Sequence, residues 1–216
     1  MVTIEAGGQP LVLLAEKAVF LPASRTLLVA DAHIGKAVSF RKLGVPVPRG
    51  TTTETLALLT TLVGRHAAQR IVFLGDFLHS KRSHAPSTMG ALARWRAAHA
   101  ALVLTLVRGN HDDRAGDPPA SLGFEVVDEP LVEAGLALCH HPATREGLYV
   151  LAGHLHPCTT LRGRAHDHVR LACFHFGART GVLPAFGSFT GMHPIARREG
   201  DRVFAVADDS VLEIPT

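Results

Sequence analysis

Four short segments of the chain combine carboxylate, imidazole and amide side chains at spacings that suit the binding of metal ions. They are residues 31–33 (Asp-Ala-His), 75–76 (Gly-Asp), 109–112 (Gly-Asn-His-Asp) and 153–156 (Gly-His-Leu-His), with His140 between the last two. Each follows an apolar run that predicts a buried strand, and residues two apart at the end of an extended strand share one face. The sequence therefore predicts a metal centre whose ligands are Asp31, His33, Asp76, Asn110, His140, His154 and His156.

The ligand types indicate which ions and which reaction this centre would serve. Mixed imidazole, carboxylate and amide ligation suits Mn, Fe or Zn better than Mg or Ca, and Mn2+ is our first choice. Two such ions ~3.5–4 Å apart can hold both the attacking and the leaving oxygen of a displacement at phosphorus. Asp76, which follows Gly75, is the predicted bridging ligand. The expected nucleophile is a hydroxide that bridges the two ions.

His111 is the predicted catalytic residue that does not bind metal. It is adjacent to Asn110 in the sequence, but its side chain should point elsewhere and face the substrate. There it would donate a proton to the leaving oxygen or stabilise the charged transition state. Two roles are open to Asp112, and they are compatible with each other. It could hold the His111 ring in a useful tautomer, and it could cap the helix that follows.

Basic residues follow three of the metal-binding segments. Their charges would bind a phosphodiester backbone, although each of them alone could equally be an ordinary surface residue. The chain has one Trp and one Tyr, so stacking on single-stranded bases is not indicated, and DNA would be recognised through its phosphates. The candidate substrate-binding residues are Lys36, Arg41, Lys81, Arg82 and Arg108, with Lys42, Arg49 and Arg114 nearby.

The apolar patterns predict an α/β fold in which strands and helices alternate first and strands dominate later. Helices are expected at 51–66 and 86–100, and strands around 26–33, 70–76 and 101–110. Residues 34–50 lack periodicity and contain three glycines, which predicts a loop. From residue 158 onward, alternating segments predict antiparallel strands. The expected architecture is a sandwich of mixed sheets with helices outside.

The composition fits one globular domain over residues 1–216. The chain is 47% hydrophobic, has a net charge of +3, and contains three cysteines without Cys-x-x-Cys spacing, which suggests reduced thiols in the cytoplasm. Charged residues interrupt the apolar stretches of the first thirty positions, so we expect neither a signal peptide nor a membrane anchor. The sequence leaves the oligomeric state open, and a homo-oligomer is compatible with it.

Taken together, the segments resemble the signature of the calcineurin-like metallophosphoesterases across nearly the whole chain. The resemblance implies a four-layer αββα sandwich of two mixed β-sheets flanked by helices. It also implies two metal sites that share one ligand: Asp31, His33, Asp76 and His156 would hold the first ion, and Asp76, Asn110, His140 and His154 the second.

Flanking residues give a narrower resemblance, to the ligase-associated DNA damage response endonuclease PdeM group. The matching stretches include GDFLHSKRS, VRGNHDD, CHHP and LPAFGSFTG. The resemblance implies a nuclease-type phosphodiesterase linked to DNA repair, with a DNA ligase, a helicase and an exonuclease as partners. His79 stands where other branches of the superfamily carry an acid; we expect it to orient a ligand rather than to bind a third metal.

Two alternative functions stay open at this point. A phosphodiesterase of small molecules, such as cyclic nucleotides or lipid-linked diphosphates, would need the same ligands. A catalytically inactive binding module of the same fold should lack a ligand or the histidine after Asn110, and the sequence retains all of them.

Overall fold

The structure, a computed structural model, describes residues 1–47, 50–163, 168–188 and 190–215, apart from the side chain of Lys42. Two mixed β-sheets pack against each other, and helices lie against the first sheet. This is the predicted α/β sandwich. Arg49, named above among the basic residues, lies outside the described part of the chain, as does the side chain of Lys42.

Within the described ranges, the first sheet contains seven strands in sequential order. Neighbouring strands from the first to the fourth are antiparallel, and those from the fourth to the seventh are parallel. The strands are β1 (Val2–Ala6), β2 (Gln9–Leu13), β3 (Val19–Leu21), β4 (Thr26–Val29), β5 (Arg70–Leu74), β6 (Val103–Val107) and β7 (Phe124–Val127). Because β4 to β7 run in the same direction, their carboxyl ends meet at one edge of the sheet.

The helices are α1 (Lys36–Lys42), α2 (Thr51–His66), α3 (Pro86–Ala98) and α4 (Asn110–Ala115), with 3-10 turns at Lys81–His84 and Ala120–Leu122. The second and third confirm the predicted helices, and their apolar faces pack on the first sheet. Leu56, Leu59 and Leu62, for example, share a core cluster with Leu27 and Phe73.

The first helix corrects the prediction of a loop over residues 34–50. Gly35 has a φ of 80° and starts the helix, and the buried side chains on it, Ala37 and Ser39, are small. A helix of seven residues without a stripe of large apolar side chains has no hydrophobic period to detect. The Oγ atoms of Ser39 and Ser80, 2.9 Å apart, join it to the 3-10 turn that starts at Lys81.

The second sheet is built from the remaining strands. Its order is β14-β11-β12-β13-β10-β9-β8, with β15 paired to both β12 and β16. The strands are β8 (Leu131–Glu133), β9 (Leu136–Leu138), β10 (Tyr149–Ala152), β11 (Pro157–Arg162), β12 (His168–Phe176), β13 (Thr180–Val182), β14 (His193–Pro194), β15 (Arg202–Ala207) and β16 (Ser210–Ile214).

The antiparallel pattern predicted from residue 158 onward holds for most of these pairs. The pairs β11 with β12, β12 with β13, β12 with β15, and β15 with β16 are antiparallel. However, β13 also pairs in parallel with β10, and β14 pairs in parallel with β11. Such long-range pairings are not visible in the alternation of a single strand.

The main core lies between the two sheets. One apolar cluster combines residues of the first sheet, such as Leu28 and Val72, with residues of the second, such as Leu151, Phe174 and Phe204. All five of these side chains are fully buried. The packing fixes the two sheets against each other, so loops at their adjoining edges can form one site. Among the described residues, no helix is long and apolar enough to cross a membrane.

Candidate metal centre

The predicted ligands converge where the strand ends of the two sheets adjoin. Asp31, Asp76 and Asn110 follow β4, β5 and β6, while His140 and His154 follow β9 and β10 of the second sheet. Backbone hydrogen bonds tie neighbouring loops together, since His33 N donates to Asp76 O (2.9 Å) and Asp31 N to Gly75 O (3.3 Å). All seven predicted ligands therefore lie in one pocket, as the sequence predicts.

The backbone of the ligand loops differs from the expectation. The strands end at Val29 and Ala152, before the ligands, and the ligands do not continue as extended residues. Asp31 (φ 52°), His33 (45°), Asp76 (52°), His154 (69°) and His156 (46°) lie in the left-handed region. This conformation costs roughly 1–2 kcal/mol for each non-glycine residue, and such strain concentrates at functional sites.

The first group of ligands surrounds one oxygen of Asp31. Asp31, His33 and His156 place one ligand atom each within 4.8 Å of one another. His156 Nδ1 donates to the carbonyl of Gly191 (3.1 Å), so its Nε2 carries a lone pair, and this atom lies 3.4 Å from Asp31 Oδ1. Asp31 Oδ1 is buried and has no hydrogen-bond partner among the described residues. A lone pair facing an unpaired carboxylate oxygen is the arrangement that a cation would fill.

The second group surrounds Nε2 of His140. Its Nδ1 donates to the carbonyl of Leu74 (3.0 Å), which leaves a lone pair on Nε2. That atom lies 3.0 Å from Asn110 Oδ1, 3.5 Å from Asp76 Oδ1 and 3.0 Å from His154 Nδ1. His140 and Asp76 are both buried, so these acceptors are withdrawn from water. The donor set suits a divalent transition metal.

Asp76 lies between the two groups. Its Oδ1 faces His140, and its Oδ2 lies 3.9 Å from Nε2 of His33. The amide of His111 donates to Oδ1 (2.8 Å), and the amide of His154 donates in the same way to Asp31 Oδ2 (2.9 Å). Burial and the nearby Lys36 ammonium lower the pKa of His33 to about 2, which keeps this imidazole neutral and able to bind metal.

Glycines allow the loops to approach closely. A Cβ atom at Gly75 would lie 2.1 Å from Nδ1 of His140, and one at Gly109 would lie 2.4 Å from Oδ1 of Asp76. Gly75 also has a φ of 79°. In the sequence, Gly75 is seen only as the residue before the predicted bridging ligand, and the structure identifies its close neighbour as the candidate ligand His140.

Gly75→Ala is expected to lower the free energy of unfolding by about 2–5 kcal/mol, because the methyl group strains the backbone and displaces the His140 ring. Urea unfolding of the metal-free protein would measure this loss. Gly44→Ala is the matched control, since Gly44 has a φ of 77° but nothing within 4 Å of the position that a methyl group would take. It should cost only the backbone strain of about 1–2 kcal/mol. Equal losses in both variants would contradict the close approach to His140.

His111 lies at the edge of the pocket with one nitrogen fixed by the protein. Its Nδ1 donates to the carbonyl of His79 (2.7 Å), and its Nε2 lies 4.0 Å from Asp76 Oδ2. The ring stacks on that of His79, with centroids 5.0 Å apart. Nδ1 of His79 is 3.5 Å from Nδ1 of His33. His79 therefore contacts both a candidate ligand and the candidate catalytic residue.

Asp112 does not orient the His111 ring, which corrects one of the two alternatives. Its buried carboxylate accepts hydrogen bonds from the amides of Gly109 (3.0 Å), Leu78 (3.0 Å) and Phe77 (3.4 Å). Burial raises the pKa of Asp112 to about 6, and these amides counteract part of that rise. The residue caps the start of α4 from its third position and ties that helix to the loop after Asp76.

The basic candidates differ in their surroundings. Lys36, half-buried on α1, is close enough that Asp31 and Asp76 partly offset the lowering of its pKa by burial. Arg41, Lys81 and Arg82 are exposed on α1 and on the turn packed against it. Arg108 differs from the prediction, because Asp117 (2.8 Å) and Asp128 (2.7 Å) bind its guanidinium.

Glu129 was not predicted, although it organises one side of the site. Its Oε2 accepts the amides of His140 (2.7 Å) and His141 (2.9 Å), and its Oε1 lies 3.1 Å from Nδ1 of His141. Burial raises the pKa of Glu129, but these hydrogen bonds outweigh it and lower the pKa overall. In the sequence, Glu129 follows Asp128 and lies eleven residues before His140, and no pattern distinguishes it.

Comparison with known proteins adds a relative of high similarity. No protein-family model and no curated protein sequence matches the chain. Among solved structures, Pseudomonas putida nuclease MPE is 45% identical, with coverage of 99% of each chain and a TM-score of 0.88. YfcE, a phosphoesterase from E. coli, is 15% identical over 88% of this chain and 97% of its own, with a TM-score of 0.43.

The similarity to MPE extends over the whole chain rather than over the site alone. The convergence of histidine and carboxylate groups that could hold metal ions is compatible with this relationship. At 45% identity and 99% coverage, the chain belongs to the calcineurin-like metallophosphoesterase superfamily, in the group that includes nuclease MPE.

Proposed function

We propose that the chain is a phosphodiesterase that depends on two divalent metal ions and cleaves nucleic acid. The observation that carries the proposal is the set of lone pairs directed at one another in the buried pocket. Asp31 Oδ1 has no hydrogen-bond partner among the described residues and lies 3.4 Å from Nε2 of His156, while Nε2 of His140 lies 3.0 Å from Asn110 Oδ1. Divalent cations bound among these groups would stabilise such an arrangement.

In this proposal, each ion has four ligands. Asp31, His33, Asp76 and His156 hold the first, and Asp76, Asn110, His140 and His154 hold the second. When bound, the ions would lower the pKa of a water molecule and neutralise charge on the phosphoryl group. Mn2+ is the ion that we favour, with Fe or Zn as alternatives, because imidazole and oxygen ligands are mixed.

The protein itself fixes the ligands through their other atoms. The carbonyls of Leu74 and Gly191 set the tautomers of His140 and His156, and backbone amides orient the carboxylates of Asp31 and Asp76. The His79 carbonyl holds one proton of His111 on Nδ1, so Nε2 is the atom that the ring presents to substrate. We propose that His111 acts as an imidazolium, whose second proton, on Nε2, is donated to the leaving oxygen or forms a hydrogen bond to the charged transition state.

The proposed substrate is DNA or another phosphodiester strand. The relative MPE is described as a nuclease, and this supports a polymeric substrate. Lys36, Arg41, Lys81 and Arg82 would bind its phosphates beside the pocket, whereas Arg108 is engaged by acids. A role in DNA repair, with a DNA ligase, a helicase and an exonuclease as partners, rests on the family resemblance alone. A single domain over 1–216 and a cytoplasmic location are proposed from the composition.

Purified protein is expected to hydrolyse bis(4-nitrophenyl) phosphate with added Mn2+ and to lose this activity on chelation, because bound ions would lower the pKa of the attacking water. The aryl monoester should react more slowly. Single- and double-stranded DNA, tested in parallel, should be cut under the same conditions.

Other results would point elsewhere. Hydrolysis of small diesters without cleavage of DNA would favour a phosphodiesterase of cyclic nucleotides or lipid-linked diphosphates. No hydrolysis of any diester with Mn2+, Fe2+ or Zn2+ would contradict an enzyme and favour an inactive binding module.

A further inference from the structure

A second cleft begins beside the candidate metal centre and is not used by the proposed chemistry. It has a volume of about 520 Å³. Leu155, which lies between the candidate ligands His154 and His156, and Pro142, which follows His141, form its near wall. The cleft therefore adjoins the second group of ligands.

Apolar side chains form part of the walls of this cleft. Leu155, Pro142, Val182, Ala178 and Ala196 line it, and Leu155 is 42% exposed, which is high for a large apolar side chain. Its size is within the range of about 300–1,000 Å³ that is typical of small-molecule sites, where apolar walls surround a few polar groups. A flat, mostly apolar ring is the kind of group that such walls accept.

One polar pair borders the cleft and leaves an acceptor available. Asp201 Oδ2 accepts hydrogen bonds from the amide of Arg198 (2.8 Å) and from Nε2 of His175 (2.8 Å). Nε2 therefore carries a proton, and in the neutral ring Nδ1 of His175 is an acceptor. Within the described residues, Nδ1 has no hydrogen-bond partner. All four nucleobases carry an N–H group on an edge that could donate to such an acceptor.

The charges of the cleft argue against a second phosphate as its ligand. Arg179 and Arg198 lie at the rim, but Glu199 and Asp201 also line the cleft, so the signs balance. A phosphate would require an excess of positive charge, whereas an uncharged base does not. The rim arginines remain suitable for the phosphates on either side of that base.

We infer that this cleft binds a nucleobase of the strand whose adjacent phosphodiester lies at the metal centre. The inference rests on the proposed function, because it names a part of the substrate of that same site. The base would contact Leu155 and Pro142 and donate a hydrogen bond to His175 Nδ1. This contact would be tolerant of sequence, since each base can supply a donor.

Filling the cleft tests the inference. Ala196→Trp and Ala178→Trp each place a large ring at an exposed position of the lining. Either change should weaken binding of a fluorescently labelled single-stranded hexanucleotide, measured by anisotropy in EDTA, by about tenfold or more. Ala100→Trp, exposed near the carboxyl end of α3, is the matched control and should bind within about twofold of the wild type. Thermal melting identifies a tryptophan variant that fails to fold. In that case, the binding measured for the other tryptophan variant tests the inference.

An abasic hexanucleotide separates recognition of bases from recognition of phosphates. It should bind the wild type about tenfold more weakly, and the tryptophan variants should then have little further effect. Unchanged binding of the normal hexanucleotide by both variants would overturn the inference. So would equal effects on the normal and abasic strands, which would mean that the cleft holds the backbone.

Failure of the proposed function gives a different result. Absence of metal-dependent hydrolysis would remove the enzyme proposal, whereas binding in EDTA requires no catalysis. In active protein, the ratio of kcat/KM for the hexanucleotide to that for bis(4-nitrophenyl) phosphate should fall by about tenfold in Ala196→Trp. An unchanged ratio would overturn the base subsite and leave the hydrolase standing.

Discussion

Asp76→Asn is expected to reduce the rate of hydrolysis of a small phosphodiester by about three orders of magnitude or more. Asp76 is 2% exposed, and each of its carboxylate oxygens faces a different group of candidate ligands. The substitution preserves the shape of the side chain but removes its negative charge. It also replaces one oxygen with an amide NH2 group, which cannot bind a cation.

The same variant should also lose bound metal. Elemental analysis after equilibration with Mn2+ is expected to find less than the wild-type content, because Asp76 is the proposed ligand of both ions. Asp113→Asn is the matched control, since Asp113 is exposed on α4 and makes no contact with the proposed ligands among the described hydrogen bonds. Full metal content together with full activity in Asp76→Asn would contradict the bridging role.

The convergence of the ligands could be predicted from the sequence because it depends on the ends of strands. Apolar runs such as Thr26–Val29 and Arg70–Leu74 are buried on both faces, and polar residues that follow parallel strands meet at one edge of the sheet. Burying histidine and carboxylate side chains at several such strand ends costs free energy unless they bind a partner such as a metal ion. Residue type and position were therefore sufficient to identify the pocket.

The conformation of the ligand loops could not be predicted in the same way. Strand alternation suggested that Asp31 and His33 share a face, but both have positive φ values and reach the pocket from a turn. The backbone adopts this strained conformation because hydrogen bonds to neighbouring loops, such as His33 N to Asp76 O, compensate for it. Those partners are distant in the sequence, and no local pattern reports them.

Single charged residues were the least predictable part of the site. Arg108 was expected to bind substrate, yet Asp117 and Asp128 bind it, and Glu129 was not singled out although it holds the loop of His140. A charged residue in the sequence can bind substrate, pair with another charge or simply be exposed to solvent. Only its neighbours in the folded structure distinguish these roles. The helix α1 was not predicted because its buried side chains are small and give no helical pattern of large apolar residues.

His111→Ala is expected to leave the content of Mn2+ near the wild-type value while kcat falls by about 10²–10⁴-fold. The two effects separate because the His111 ring is fixed by a backbone carbonyl and by stacking on His79. Its backbone amide, which donates to Asp76, is retained in alanine. His99→Ala, a histidine that lies at the end of α3, is the matched control and should leave activity unchanged.

The leaving group decides which of its two proposed roles His111 has. If Nε2 donates a proton, the loss in His111→Ala should be small for a 4-nitrophenolate leaving group, which needs no proton, and large for a deoxyribose oxygen, which does. If Nε2 instead stabilises charge on the phosphoryl oxygens, both substrates should lose activity to the same extent, because that charge develops with either leaving group. Loss of bound metal together with activity would contradict both roles and place His111 among the ligands.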